Sequence, residues 1–205
     1  LNGMFHRNDY PGRDVEKMKR WGIAPSVPLG IESPPRLTLS YFHQVDVNTP
    51  QYGVPFYITA TNPGPLAGVD RSDYFGIENL DKQDITVDQL TVKFEHDFSD
   101  NVTISNLSRW QRVGQRSVTS APQGSFCLAS GVTPLGAPCT TPDTFAPTAL
   151  TNASAGARGL VRDQENQLLY NQTDLKVISG EEGGTRNTLV IGASFTQEDY
   201  SIETA

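Results

Sequence analysis

The run RLTLSYFHQ, Arg36–Gln44, decides the fold. In an extended chain Leu37, Leu39 and Tyr41 fall on one face, and Thr38, Ser40 and Phe42 on the other. A period of two belongs to a strand, here apolar on one side and mostly polar on the other. Before it stand WGIAPSVPLGI (21–31) and a short Glu32-Ser33-Pro34-Pro35 turn; after it comes a long polar loop rich in Tyr, Pro and Gly.

The same asymmetry recurs along the chain. Residues 1–7 read as the end of a strand, followed by a turn-rich segment, Asn8–Asp14, and a charged stretch through Arg20. Trp21, Ile23, Val27, Leu29 and Ile31 share one parity against a small-residue face, although Pro25 and Pro28 weaken that strand. Over 85–98, Leu90, Val92 and Phe94 oppose Thr91, Lys93 and Glu95. Ser99-Asp100-Asn101 makes a tight turn into a strand running from Val102 through Trp110 to about Gln115. Over 163–179, Leu169, Leu175 and Val177 are in phase, with Asn171 and Thr173 interrupting their face. A GEEGG turn (180–184) leads to a last strand carrying Leu189, Ile191, Ala193 and Phe195.

The expectation is all-β: an antiparallel up-and-down meander of about seven strands. Tight turns near 32–35, 99–101 and 180–185 alternate with longer connections near 8–20, 46–83 and 117–160. All tight turns therefore fall at one end of the sheet. A soluble sandwich has no reason to sort its loops so strictly, whereas an outer-membrane barrel does, with short periplasmic turns and long extracellular loops.

Composition agrees. Hydrophobic content is 37%, below the roughly 45–50% usual for a compact soluble domain on a count that includes Gly. A barrel strand meets lipid on one face and a polar lumen on the other, so it needs no soluble core. The net charge of −7 and pI near 4.9 exclude general nucleic-acid binding, which requires a basic face. No run of about 18 apolar residues is present, so no transmembrane helix is expected. The chain starts on Leu in mid-pattern without a signal peptide, as expected of a piece cut from something longer. Cys127 and Cys139 share one polar loop with no His nearby, and are read as a loop disulfide of an oxidising compartment rather than as metal ligands or free thiols.

The residues 1–44, LNGMFHRNDYPGRDVEKMKRWGIAPSVPLGIESPPRLTLSYFHQ, followed by NTPQYGVPF (48–56), resemble the barrel of TonB-dependent outer-membrane siderophore receptors. The likeness is greatest to the ferric-catecholate branch, with hydroxamate-type receptors close behind. Pro11-Gly12-Arg13-Asp14, Arg20–Ser26, Leu37–Tyr41 followed by Tyr52-Gly53-Val54-Pro55, and LLYNQTDL (168–175) carry it. The resemblance implies a barrel of about 22 strands plugged by an N-terminal domain, uptake of iron-loaded siderophore, and energy from TonB. Residues 1–205 would supply roughly a third of those strands, without plug or TonB box. TonB would be reached through the missing plug region, and the other neighbours would be outer-membrane lipid and lipopolysaccharide.

No nucleophile–base pair or carboxylate pair stands out, and an enzyme such as a barrel lipase finds no Ser/His/Asp support. His6, His43 and His96 lack metal-ligand spacing, so no metal or cofactor is expected. A ferric catecholate is bulky, aromatic and anionic; it calls for Arg, which pairs with anionic oxygens and stacks on rings, and for aromatic walls. Arg71, Tyr74 and Phe75 cluster in the first long loop, after Tyr52, Phe56 and Tyr57. Arg109 and Trp110 lie in the strand that follows Asn101. Arg109 shares the parity of Thr103 and Ser105, the expected lumen face; Trp110 and Arg112 share that of Val102 and Ile104, the expected lipid face. Such Trp and Tyr are equally the interfacial girdle of any barrel. The competing reading is a soluble β-sandwich that binds carbohydrate through its loop aromatics, which would bury both sheet faces.

Overall fold

The computed structural model describes residues 1–32, 34–54, 56–58, 63–65, 70–120, 131–133, 136–138, 160–180 and 183–204. Among these residues ten strands form: β1 (Asn2–Asp9), β2 (Lys17–Ala24), β3 (Ser26–Leu29), β4 (Arg36–Asn48), β5 (Phe56–Ile58), β6 (Pro63–Pro65), β7 (Lys82–Ser99), β8 (Val102–Thr119), β9 (Leu160–Gly180) and β10 (Arg186–Thr204). The main sheet runs β1-β2-β4-β7-β8-β9-β10, with β3 also on β4, and every pairing is antiparallel. β5 and β6 form a small separate ribbon within the long loop.

β2 and β3 are one rung of the meander, broken at Pro25. Both pair with β4, β2 over His43–Asn48 and β3 over Leu37–Ser40. The carbonyl of Pro25 accepts the Tyr41 N–H at 3.0 Å and bridges the break. Pro28 pairs with Thr38 of β4 within β3, and proline in a strand is confined to positions whose missing N–H is not needed by the ladder. The seven expected strands are therefore all present. Several run further than their apolar alternation: β2 begins at Lys17, and β8 continues to Thr119.

The register sorts the side chains onto two faces. Trp21, Val45 and Thr86 align across β2, β4 and β7, and so do Leu39, Val92 and Ser108 across β4, β7 and β8. One face thus carries Phe5, Trp21, Ile23, Val27, Leu39, Tyr41, Leu90, Phe94, Trp110, Leu169, Leu175, Leu189, Ile191 and Phe195, each well exposed, up to 70% at Phe5. Phe75 is the one buried apolar residue among those described, so no hydrophobic core lies between two sheets. That removes the sandwich alternative: the described residues contain one large sheet whose apolar face is uncovered.

The opposite face is polar and internally bonded. Arg20 grips Asp46 through Nε and Nη2 at 2.7 and 2.6 Å, and Asp46 is only 3% exposed. Arg36 lies 3.1 Å from Glu95 and 2.9 Å from Asp97. Lys93 also pairs with Glu95, at 3.0 Å. A sheet with apolar groups outside and paired charges inside is the arrangement of a spanning barrel wall.

Strand length extends the point. A transmembrane strand needs about 9–11 residues, whereas β7 to β10 have 18 to 21. Their ends at the long connections therefore stand clear of the apolar band.

The two-faced assignment predicts an asymmetric response to charge at adjacent positions. In a complete barrel, Leu39→Arg costs about 2–4 kcal/mol, as for Arg on a lipid face near mid-depth. Ser40→Arg, one residue on and facing the lumen, stays within about 0.5 kcal/mol. Denaturant unfolding of the barrel in lipid vesicles measures both; equal costs contradict the assignment.

Candidate functional site

The loop-bearing end of the sheet is closed by a compact clasp between distant segments. Tyr10-Pro11-Gly12-Arg13 forms the turn after β1: the Arg13 N–H donates to the Tyr10 carbonyl at 3.1 Å, and Gly12 takes φ +70°. That sign of φ at the third position, after Pro at the second, belongs to a type II turn. The turn aims Arg13 into the next long connection. Its Nε donates to Glu16 Oε1 at 2.6 Å, Nη1 to the Arg71 carbonyl at 2.8 Å, and Nη2 to the Tyr52 carbonyl at 2.9 Å. The guanidinium carbon lies 5.8 Å from the centre of the Phe75 ring. Asp14 adds a backbone bond to Ser72 at 3.0 Å and accepts the Ser72 hydroxyl at 2.8 Å.

Behind Arg13 the aromatics pack on one another. The Tyr52 and Tyr74 rings are 5.6 Å apart. The Tyr74 hydroxyl donates to Asp81 Oδ2 at 2.8 Å, which also accepts the Ile77 N–H at 3.1 Å. The Tyr52 hydroxyl accepts the Ser120 N–H at 2.9 Å, and the Ser120 hydroxyl accepts from Ile77 N at 2.9 Å. Three connections, after β1, β4 and β8, are thereby tied together. The packing leaves no room at Gly76, where a Cβ would overlap the Asp81 carboxylate and the Tyr52 ring. Burial is the main cause that pushes the Tyr52 phenol up to about 12 and raises that of Tyr74 further.

The expected ligand residues thus separate into two groups. Tyr52, Tyr74 and Phe75 are brought together, but as the interior of the clasp, with Phe75 only 5% exposed. Arg71 is exposed at its rim. Phe56, on β5, is 67% exposed. Tyr57 pairs with Gly64 along the same ribbon, its side chain outside the described residues. Arg109 stands apart in the lumen wall, eleven residues before Ser120 on β8, about 36 Å along the strand. Its Nε donates to Thr91 Oγ1 at 3.2 Å, and it has no carboxylate partner among the described residues. Trp110 faces the opposite way, aligned with Leu90 and Leu169 in the apolar band. Cys127 and Cys139 lie outside the described residues.

Sequence reasoning missed Arg13, Glu16, Asp81 and Ser120. Their partners lie up to 68 residues away along the chain, a separation that no local period reports. The signal within reach was Pro11-Gly12-Arg13-Asp14, a turn whose Arg and Asp both contact the same distant loop.

No protein-family model matches the chain. The catecholate siderophore receptor Fiu of Escherichia coli is 34% identical over 214 residues, which cover 98% of this chain and 26% of that protein. Its crystal structure in the open form superposes with a TM-score of 0.69, at 29% identity, over 97% of this chain and 29% of the receptor. The probable TonB-dependent receptor BfrD of Bordetella pertussis is 34% identical over 125 residues, covering 60% of this chain and 17% of its own length. The chain is a barrel segment of a TonB-dependent receptor. It spans about a quarter of the length of the Fiu receptors it matches. These relatives are receptors and not enzymes.

The clasp carries a pH signature. Burial raises the Tyr52 phenol above its unfolded value of 10.0 to about 12, so the folded form favours the neutral phenol. Its contribution to stability is complete below pH 10 and is lost as pH rises toward about 12. Ultraviolet titration should show Tyr52 and Tyr74 un-ionised at pH 11. Gly76→Ala should open the clasp and bring the Tyr52 transition back toward the ordinary tyrosine range; an unshifted transition would contradict this packing.

Proposed function

We propose that the receptor to which this segment belongs lies in the outer membrane and imports ferric catecholate siderophores with energy supplied through TonB. The observation that carries the reading is the 34% identity to catecholate siderophore receptors along nearly the whole chain. The geometry of the lumen wall supports it. A ferric catecholate presents negative oxygens on a flat aromatic frame; an Arg meets the first by charge-assisted hydrogen bonds and the second by stacking. On the polar face Arg20 is already committed to Asp46, and Arg36 to Glu95 and Asp97. Among the described residues Arg109 is bonded only to a neutral hydroxyl, and it keeps N–H groups for an anion.

The loop residues divide the work. Tyr52, Tyr74 and Phe75 hold the clasp rigid, while exposed Phe56 and Arg71 offer first contact to a ligand arriving from outside. The cargo then passes to the lumen, where Arg109 stands between Thr91 and Tyr170 in the ladder.

Radiolabelled-iron uptake in cells carrying the complete receptor tests the proposal. Arg109→Ala should lower ferric-catecholate uptake by about tenfold, the cost of one charge-assisted contact, with the amount of folded receptor unchanged. Arg109→Lys should recover only part of it, because an ammonium cannot make the planar paired contact. Full uptake by the Ala variant removes Arg109 from the site. Uptake of a non-catecholate ferric complex in preference to the catecholate overturns the ligand class.

A further inference from the structure

The lumen face is not polar throughout. Near the outer end of the apolar band, the inward-facing positions of β1, β2 and β4 are Asn2, Met4, Gly22, Ala24 and Phe42, and they line an open cavity of about 160 Å³. Met4 is the register partner of Gly22, and Asn2 of Ala24. Phe42 stands one residue on from the Ile23–His43 pair. No charged residue lines this niche.

Its shape follows from two small residues. Gly22 is buried in the floor, and a Cβ there would lie 2.8 Å from the His43 carbonyl oxygen, so the close approach of β2 and β4 keeps the position bare. Ala24 adds only a methyl group. Met4, 44% exposed, and Phe42 flank this floor from β1 and β4. Water on such a surface is displaced at a gain, and an apolar cavity of about 150 Å³ holds one benzene ring.

What covers the niche follows from where it lies. Phe42, Gln89 and Gln111 share a rung of the ladder, and Ser40, Thr91 and Arg109 share the next rung toward the tight turns. The niche therefore stands about 7 Å above Arg109 along the strands and two strand spacings to its side, roughly 12 Å away in all. Arg109 leans in that direction: its Nε donates to Thr91 on β7, the strand between it and β4. Gln89 donates to the same hydroxyl oxygen at 3.4 Å. On the outward face this level carries Trp21, Tyr41 and His43, whose rings lie against one another, as at a membrane interface. The niche thus opens at the loop-bearing mouth of the lumen, beside an arginine with no carboxylate partner among the described residues.

We propose that the niche takes an uncharged apolar group, a short alkyl chain or an aryl ring, carried by a ferric catecholate whose anionic iron centre lies against Arg109. The proposal rests on the ferric-catecholate reading above and adds the ligand's second point of attachment. The charged anchor fixes where the complex binds. A dry niche at a set distance from it selects the substituent that the complex carries.

Calorimetric titration of the complete receptor tests this with two probes, the ferric complexes of an N-butyl and of an N-(hydroxyethyl) catechol amide, alike in charge and in iron centre. The receptor should bind the butyl complex about tenfold more tightly, the worth of about two buried methylene groups. Ala24→Leu, which fills the niche, and Phe42→Ser, which removes a wall, should each abolish that preference. Arg109→Ala should weaken both complexes alike and leave the preference in place. Equal binding of the two complexes by the intact receptor, or a preference that survives both niche variants, overturns the proposal and leaves the ferric-catecholate reading standing. Binding of neither complex overturns that reading, and the proposal with it. Less folded receptor on Ala24→Leu, with equal losses for both complexes, marks the niche as filled by another part of the receptor and overturns the proposal as well.

Discussion

The antiparallel ladder fixes everything else in this molecule. In hydrocarbon no water is available to backbone N–H and C=O groups, so each must find its partner on a neighbouring strand. The ladder meets that demand from β1 to β10 through long, nearly uninterrupted registers; among the described residues the main sheet's register shifts between Asp97 and Ser99, beside a tight turn. Once the register is set, side-chain direction has no freedom left. Leu39 must face with Val92, and Thr38 with Lys93. A slip by one residue would put Arg20, Asp46 and Glu95 into lipid. The ion pairs between β2 and β4, and between β4 and β7, join charges across neighbouring strands in the existing register.

Function follows from the same separation. A wall with a different solvent on each side has one face for lipid and another for a polar lumen, and the strand surplus above the membrane becomes a scaffold for loops. The clasp is where that scaffold acquires shape. Glu16, 1% exposed, and Asp81 both have a carboxylate oxygen without a hydrogen-bond partner, an arrangement costly enough to require tight packing around it. Arg13, whose three bonds reach two connections, provides much of that packing.

How much of this was legible in the sequence depended on which residues alternate. Leu37, Leu39 and Tyr41, or Leu189, Ile191 and Phe195, announce a strand because lipid selects apolar groups at every second position. Lys17, Lys19, Asp84 and Arg116 stand on the same face above the band, where water accepts charge, so the strand continues there without an apolar signal. For that reason β2 begins before its alternation does and β8 runs past it. The interruption at Asn171 and Thr173 was visible, but its cause was not. Asn106 donates to Thr173 at 2.8 Å and Asn171 to Ser108 at 2.7 Å, so four polar side chains satisfy one another within the apolar face. The lumen position of Arg109 could be read from parity; the inward packing of Tyr52, Tyr74 and Phe75 could not, since it depends on contacts between separate loops.

The central claim is that residues 37–44 alternate between lipid and lumen in a spanning barrel. A nitroxide side chain placed singly at each of these positions, in the complete receptor reconstituted in lipid, tests it through collision with oxygen, which concentrates in hydrocarbon, and with a water-soluble nickel chelate. The account predicts oxygen maxima at 37, 39 and 41 and oxygen minima at 38, 40 and 42. Uniform accessibility, or oxygen maxima at the even positions, would contradict it.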